Sequence, residues 1–316
     1  MSRIIDLRLD VPETVDEIVR NMKSFILSKE TKGVANYRRI FGPRRLTNMG
    51  FTFEELERMS DELPLEKFET LLRERAEKIV IPSSEFIKQL DELGIEWGLV
   101  STDSIDKTAE IVSNIPDRLK GLAIVNPFKG MEAVRELERA IKELNFKAVY
   151  ASPFLWGIKA DDPRFYPIYS KAVELDIPVF IYSSMNYRTD YAMDVGRPIY
   201  LDRVAMDFPE MKIVARCGGW PWIPELVGVA RRHRNIYIDT LSHRPKYLAA
   251  PGSGWEMFLQ FGNTLLQDRV VFASGTRDLG LPIHQIIQEF IELPRKEEVK
   301  EKWLYKNAAR LFDLEK

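Results

Sequence analysis

An α/β chain organised as a single (β/α)8 TIM barrel is the fold the sequence predicts, and three observations predict it. Short apolar or β-branched runs recur down the chain, each followed by a longer segment of helical periodicity. Strand-then-helix alternation implies parallel pairing, and eight such units favour a closed barrel over an open sheet. No Gly-x-Gly-x-x-Gly follows the first run, which weighs against a dinucleotide-binding fold. At 316 residues the chain has the length of one barrel domain, 1–316.

The eight runs are Ile4 to Leu9, Glu96 to Ser101, Gly121 to Asn126, Lys147 to Ser152, Pro178 to Ser183, Lys212 to Cys217, Asn235 to Thr240 and Val270 to Ser274. The first unit is interrupted. From Val11 to Pro82 lies an insertion with helix-like Pro12 to Lys29, Phe53 to Asp61 and Pro64 to Lys78. An insertion over a strand's C-terminal end reads as a lid or subunit contact, because barrel sites lie on that face. Its Tyr37-Arg38-Arg39 and Pro43-Arg44-Arg45 are in reach of a bound anion or are simply solubilising charges, and an exposed patch around Phe25, Ile26, Phe51 and Phe53 would favour partner binding. Between later runs, Val134, Leu137, Ile141 and Leu144 share one helical face that should cover the sheet. A final helix, Glu298 to Phe312, carries Trp303, Leu304, Ala308 and Leu311 on one side, so it should dock on the barrel wall.

Net charge is −2, so no global field draws the chain to nucleic acid or to an anionic membrane. The one cysteine, Cys217, excludes an intramolecular disulfide and a cysteine-based zinc cluster, and fits a reducing compartment. The first residues lack the apolar core of a signal peptide, and no run reaches the ~18 residues of a membrane span, so a cytoplasmic location is expected. The base rate for such enzymes favours a homo-oligomer.

Chemistry belongs at the strand ends. The first run offers Arg8 and Asp10 on one face, the fifth Tyr182, the sixth Arg216, the seventh Asp239, and the eighth leads to Arg277 and Asp278. Ile4-Ile5-Asp6, Asp162-Pro163-Arg164-Phe165-Tyr166-Pro167-Ile168-Tyr169, Ile177-Pro178-Val179, Phe208-Pro209 leading to Cys217-Gly218-Gly219, and Asn307-Ala308-Ala309-Arg310-Leu311-Phe312 together resemble the amidohydrolase-related family, in the branch of aminocarboxymuconate semialdehyde and resorcylate decarboxylases. The resemblance implies a divalent metal on a His-x-His of strand one, a histidine of strand five and an aspartate of strand eight, with a catalytic histidine on strand six. Here those positions hold Arg8-Leu9-Asp10, Tyr182, Gly275 and Arg216, and only Asp10 keeps a ligand-capable carboxylate. Two guanidinium groups oppose a divalent ion, so neither a metal nor another cofactor is expected.

His233 and His284 read as surface groups, whereas His243 follows strand seven and could overhang the mouth as acid or base, or simply bond to backbone. Cys217 should turn to the side opposite Arg216 as a packing thiol, Gly218-Gly219 should give the chain room to turn away, and Trp220 and Trp222 should cap the rim. Drift in a dead site would favour small or apolar residues, since an unpaired buried charge costs several kcal/mol. The polar replacements therefore point to a metal-independent lyase or hydrolase acting on a small carboxylated ligand. In that reading Arg8, Arg277, Asp278 and Asp239 bind, Asp10 is a general base, Tyr182 serves an oxyanion or relays a proton, and Arg216 steadies charge. Decarboxylation, hydration or dehydration, and hydrolysis of a lactone or amide all remain open. The alternative is an inactive barrel, with Arg8, Asp10 and Arg216 forming one ion-pair plug, that serves as a binding or subunit scaffold.

Overall fold

The computed structural model describes residues 3–27 and 49–314, with the side chains of 25–27 and 53 excepted. Seven parallel strands pair in sequential order: β1 (Ile4–Asp6), β2 (Ile95–Val100), β3 (Leu119–Ile124), β4 (Phe146–Ala151), β5 (Val179–Tyr182), β6 (Ile213–Arg216) and β7 (Ile236–Ile238). The eighth run closes the ring without becoming a regular strand. Ile238 and Val270 form a single parallel bridge on one side. On the other, Leu7 N–H donates to Phe272 O at 3.0 Å and Gly275 N–H to Arg8 O at 3.1 Å. The chain is thus a (β/α)8 barrel.

Strand alternation sorts side chains into an inner core and a wall. On β5, Phe180 and Tyr182 face inward while Val179 and Ile181 meet the helices, and on β6 Val214 faces inward while Ile213 and Ala215 face out. Trp97, Leu99, Leu122, Ala148, Val271 and Ala273 complete the inner filling, so the barrel is a packed core and not a pore. Each fully buried aliphatic or aromatic side chain there contributes about 1.5–3 kcal/mol. The helix Met131–Glu143 lays Ala133, Val134, Leu137 and Ala140 on the wall, while Ile141 and Leu144 of the predicted face are only partly buried against it.

The C-terminal segment does more than dock on the wall. A π-helical turn at Lys302–Lys306 joins the helices Glu297–Glu301 and Asn307–Leu311. Trp303 packs on Phe258 and Phe290 in the wall, but Tyr305, Ala308, Ala309 and Leu311 belong to the inner core. The extra residue of the π turn rotates the apolar stripe, which a constant 3.6-residue period could not show. The helix therefore seals the barrel floor as well, and Phe312 sets its ring edge against Trp97 at 5.1 Å.

Within the insertion, Val15–Leu27, Phe53–Glu62 and Leu65–Ala76 are helical. Thr52 and Glu55 form a reciprocal capping box that starts the second of these. Ile18, Val19, Met22, Leu56, Phe68 and Leu72 build a small core separate from the barrel. Phe51 is buried in it and so contributes nothing to an exposed apolar patch of the kind that would favour partner binding. The Tyr37 to Arg45 segment and the side chains of Phe25, Ile26 and Phe53 lie outside the described residues. Polar ties to the barrel include Lys107–Glu17 at 3.3 Å and Arg277–Glu13 at 3.4 Å.

Candidate active site at the barrel mouth

Two arginine–aspartate pairs face the mouth. The first is buried: Arg216 is 2% exposed and Asp239 fully enclosed. Register places Ala215 beside Ile238, so the last residue of β6 and the residue after β7 are side by side. Arg216 Nε donates to Asp239 Oδ2 at 3.1 Å and Nη2 to Leu7 O at 2.6 Å, while its plane lies over Phe180, 4.6 Å from the ring centre. Asp239 Oδ1 also accepts the N–H groups of Cys217 (2.8 Å) and Leu241 (3.1 Å). Burial raises the Asp239 carboxyl above its ordinary pKa although Arg216 and these donors oppose the shift.

The second pair is looser. Arg8 Nη1 lies 3.5 Å from Asp10 Oδ1, and the Arg8 side chain is 20% exposed. Asp10 is held mainly by the eighth unit: Oδ2 accepts Thr276 Oγ1 at 3.0 Å and Arg277 N–H at 2.8 Å, and Arg277 Nε stands 3.8 Å from Oδ1. Desolvation acts to raise its pKa, but Arg8 and Arg277 outweigh it and hold the carboxylate below its ordinary value. Desolvation likewise opposes the Arg8 charge, and Asp10, Asp278, Tyr150 and Asp6 together outweigh it. Those groups stand on β1, β4 and the eighth unit, so the guanidinium lies over the barrel mouth. A small recess beside it, about 60 Å³, is lined by Arg8, Asp10, Glu13, Glu17, Thr102, Lys107 and Arg277 among others.

The single plug of Arg8, Asp10 and Arg216 does not form. Arg216 pairs with Asp239, and Arg8 with Asp10, because strand register sets which neighbours meet. Tyr182 lines the inner core, but its hydroxyl donates to Met185 O at 2.7 Å, in the loop after its own strand. Asp278 accepts Ser242 Oγ at 2.9 Å, and Arg277 Nη2 donates to Val11 O at 2.7 Å. The His243 ring lies 4.9 Å from Trp255 and 6.3 Å from Trp220.

Cys217 corrects the alternation argument. Its φ of +68° breaks the strand, and the thiol joins the inner core on the same side as Arg216, where burial lifts its pKa well above normal. Gly218 follows at φ +61°, and a Cβ there would stand 2.2 Å from the Trp255 ring. Trp220 stacks parallel to Tyr187 at 6.1 Å on the rim. His233 pairs with Asp202 at 2.7 Å at a helix end, and His284 is exposed.

Two groups escaped the reading of strand ends. Asp6 is fully enclosed. Its Oδ1 accepts Ser274 N–H (2.9 Å) and Arg8 N–H (3.0 Å), while Oδ2 has no hydrogen-bond partner among the described residues. Burial pushes its pKa up to about 6. The signal was a carboxylate inside the apolar Ile4-Ile5-Asp6-Leu7 run. Tyr150 of β4 lies under Arg216 at 5.5 Å, its phenol raised by burial.

Residues 97–314 match the family model described as amidohydrolase, which spans more than half of the chain. The protein is a member of the amidohydrolase family. No curated protein matches it. Among solved structures it is similar to an uncharacterised TIM-barrel protein of Bordetella bronchiseptica, at 24% identity over 98% of both chains with a TM-score of 0.70. A 2,6-dihydroxybenzoate decarboxylase from Rhizobium matches at 16% identity over 81% of this chain and 94% of its own, with a TM-score of 0.59. A 5-carboxyvanillate decarboxylase from Novosphingobium aromaticivorans, complexed with manganese and 4-hydroxy-3-methoxy-5-nitrobenzoic acid, matches at 16% over 99% and 96%, also at 0.59. These structures share the barrel.

The residues of this mouth do not fit the divalent metal the family implies. Of the would-be ligands only Asp10 is a carboxylate, its oxygens face Arg8, Arg277 and Thr276, and the strand-six position is filled by a guanidinium bonded to Asp239. No group of three or more His, Cys, Asp or Glu placed to hold a metal occurs among the described residues. No helix among them is long and apolar enough to cross a membrane.

Proposed function

We propose that this amidohydrolase-family protein is a metal-independent lyase or hydrolase acting on a small carboxylated substrate at the barrel mouth. One observation carries the reading. The Arg8 guanidinium, partly exposed at the mouth, donates no hydrogen bond among the described residues, whereas Arg216 and Arg277 both donate to backbone carbonyls. A planar donor with this unused capacity is suited to fork a carboxylate. In this reading Arg8 and Arg277 receive the anion and Asp278 borders it. Asp10 acts first as the counter-ion that aims Arg8, since its low pKa makes it a weak base. Arg216 and Asp239 give the mouth its rigid wall, Tyr182 shapes it, and His243 follows β7 beside Trp255. The insertion, helical beside Arg8, serves as lid or subunit contact.

The test is a thermal-shift titration with benzoate and salicylate, paired with elemental analysis of the purified protein and an assay for released carbon dioxide. Stabilisation by a carboxylate that vanishes in Arg8→Ala, in protein without stoichiometric metal, is the expected result. One equivalent of zinc or manganese lost on Asp10→Ala would overturn metal independence. The buried Arg216–Asp239 pair favours one second reading, an inactive barrel kept as a scaffold, and the absence of any carboxylate effect would support it.

A further inference from the structure

The recess beside Arg8 is closed in part by the insertion itself. Six charged side chains line it, with Arg8, Lys107 and Arg277 set against Asp10, Glu13 and Glu17. The barrel supplies the three cations and Asp10, whereas Glu13 and Glu17 stand at the start of the insertion helix Val15–Leu27. Glu17 Oε1 lies 3.3 Å from Lys107 Nζ, and its Oε2 accepts the Thr14 N–H at 2.9 Å in the cap that starts the helix. Glu13 Oε1 lies 3.4 Å from Arg277 Nη1 and accepts Asn21 Nδ2 at 2.6 Å. Each glutamate is thus aimed at a barrel cation by a hydrogen bond within the insertion.

We propose that Glu13 and Glu17 are an internal competitor for the anion position at Arg8, so that a carboxylate enters by displacing the start of the helix Val15–Leu27 from Lys107 and Arg277. The inference rests on the reading of Arg8 as a carboxylate receptor and adds how access to it is controlled. Two observations carry it. The first is charge: three cations already face three carboxylates, so a further anion leaves the recess negative unless one carboxylate withdraws. Asp10 is the one held in place, 4% exposed and bonded to Thr276 Oγ1 and the Arg277 N–H, whereas Glu13 and Glu17 are each 25% exposed. The second is size. At about 60 Å³ the recess is far below the range of about 300–1,000 Å³ typical of small-molecule sites, so a ring bearing a carboxylate fits only if a wall moves. The insertion is the wall able to move as a body, because Ile18, Met22, Phe68 and Leu72 pack into a core of its own. Its two ion pairs to the barrel are partly exposed and therefore weak enough for a ligand to replace.

Benzoate titration and thiol labelling of the full chain test it together. Glu13→Gln combined with Glu17→Gln removes both charges and keeps the helix cap, which glutamine also completes. The double variant should bind benzoate about five- to ten-fold more tightly than wild type, because less of the protein is held closed, and Arg8→Ala in that background should abolish the gain. Asp16→Asn removes a charge from the same helix, but Asp16 faces Arg73 at 2.7 Å instead, so it should change the affinity by less than about two-fold. Ser101 lines the recess, so a Ser101→Cys thiol reports closure with no anion present. Its reaction with a neutral methanethiosulfonate, corrected for the thiolate fraction, should be several-fold faster in the double variant. An unchanged labelling rate would overturn the proposal even if the affinity rose, since the loss of two charges alone would then explain the gain. Benzoate bound equally by wild type and the double variant would overturn the competitor and leave the Arg8 reading standing. Benzoate bound by neither would overturn both.

Discussion

The strand-six side and the strand-one side of the mouth each carry one arginine facing one aspartate, yet only one pair is saturated. Arg216 has a carboxylate, a carbonyl and an aromatic face as partners and is 2% exposed. Arg8 has an ionic contact at 3.5 Å and is 20% exposed. The same two residue types thus give a strut on one side and an available donor on the other. What separates them is enclosure, because a buried charge must be fully paired to persist while a half-exposed one can leave bonding capacity to water or a ligand.

The sharpest way to break this comparison is Asp239→Ala. It leaves the buried Arg216 charge unpaired and should cost about 3–5 kcal/mol in urea unfolding. A cost below about 1 kcal/mol would mean that Arg216 is not the strut described. Next comes the pH dependence of the two strand-one carboxylates. Burial lifts the folded pKa of Asp6 from the ordinary 3.8 to about 6, so its protonated form favours folding. Its contribution is fully present below the unfolded value and is lost as pH rises from about 4 through 6. Asp6→Asn should flatten that decline by on the order of 3 kcal/mol. A residual slope of the same sign should persist from Asp239, which is raised too. Asp10 is lowered, so its contribution is present above the unfolded pKa and lost as pH falls through the folded one, and Asp10→Asn should remove part of the acid-side loss. A smaller effect is expected for the double replacement of Arg216→Met with Asp239→Leu, which removes both charges together and should change stability by much less than Asp239→Ala alone. The smallest is Arg8→Ala, expected within about 1 kcal/mol of wild type in stability, with the benzoate response as its readout. A larger loss would make Arg8 a second strut.

The barrel was legible because strand and helix periods alternate, and the pattern survives even where pairing is thin, as in the eighth run with its single bridge. The pairing at the mouth was not. Strand ends name Arg8, Asp10, Arg216 and Asp239, but only register shows that Asp239 arrives beside Arg216. Alternation failed at Cys217, where one left-handed residue keeps the next side chain on the inner face. A recess of about 370 Å³ lined by Ser242, Trp255 and Leu279 was illegible because those residues share no sequence period.

The π turn at Lys302–Lys306 has a consequence for how the chain is made. It lets one terminal helix brace the wall through Trp303 and seal the floor through Tyr305, Ala308 and Leu311. Until those residues leave the ribosome, Ile5 and Trp97 have no cover from below, and a nascent barrel presents an open apolar end to its surroundings. Vectorial synthesis therefore delays completion of the inner core until Tyr305, Ala308 and Leu311 have been made.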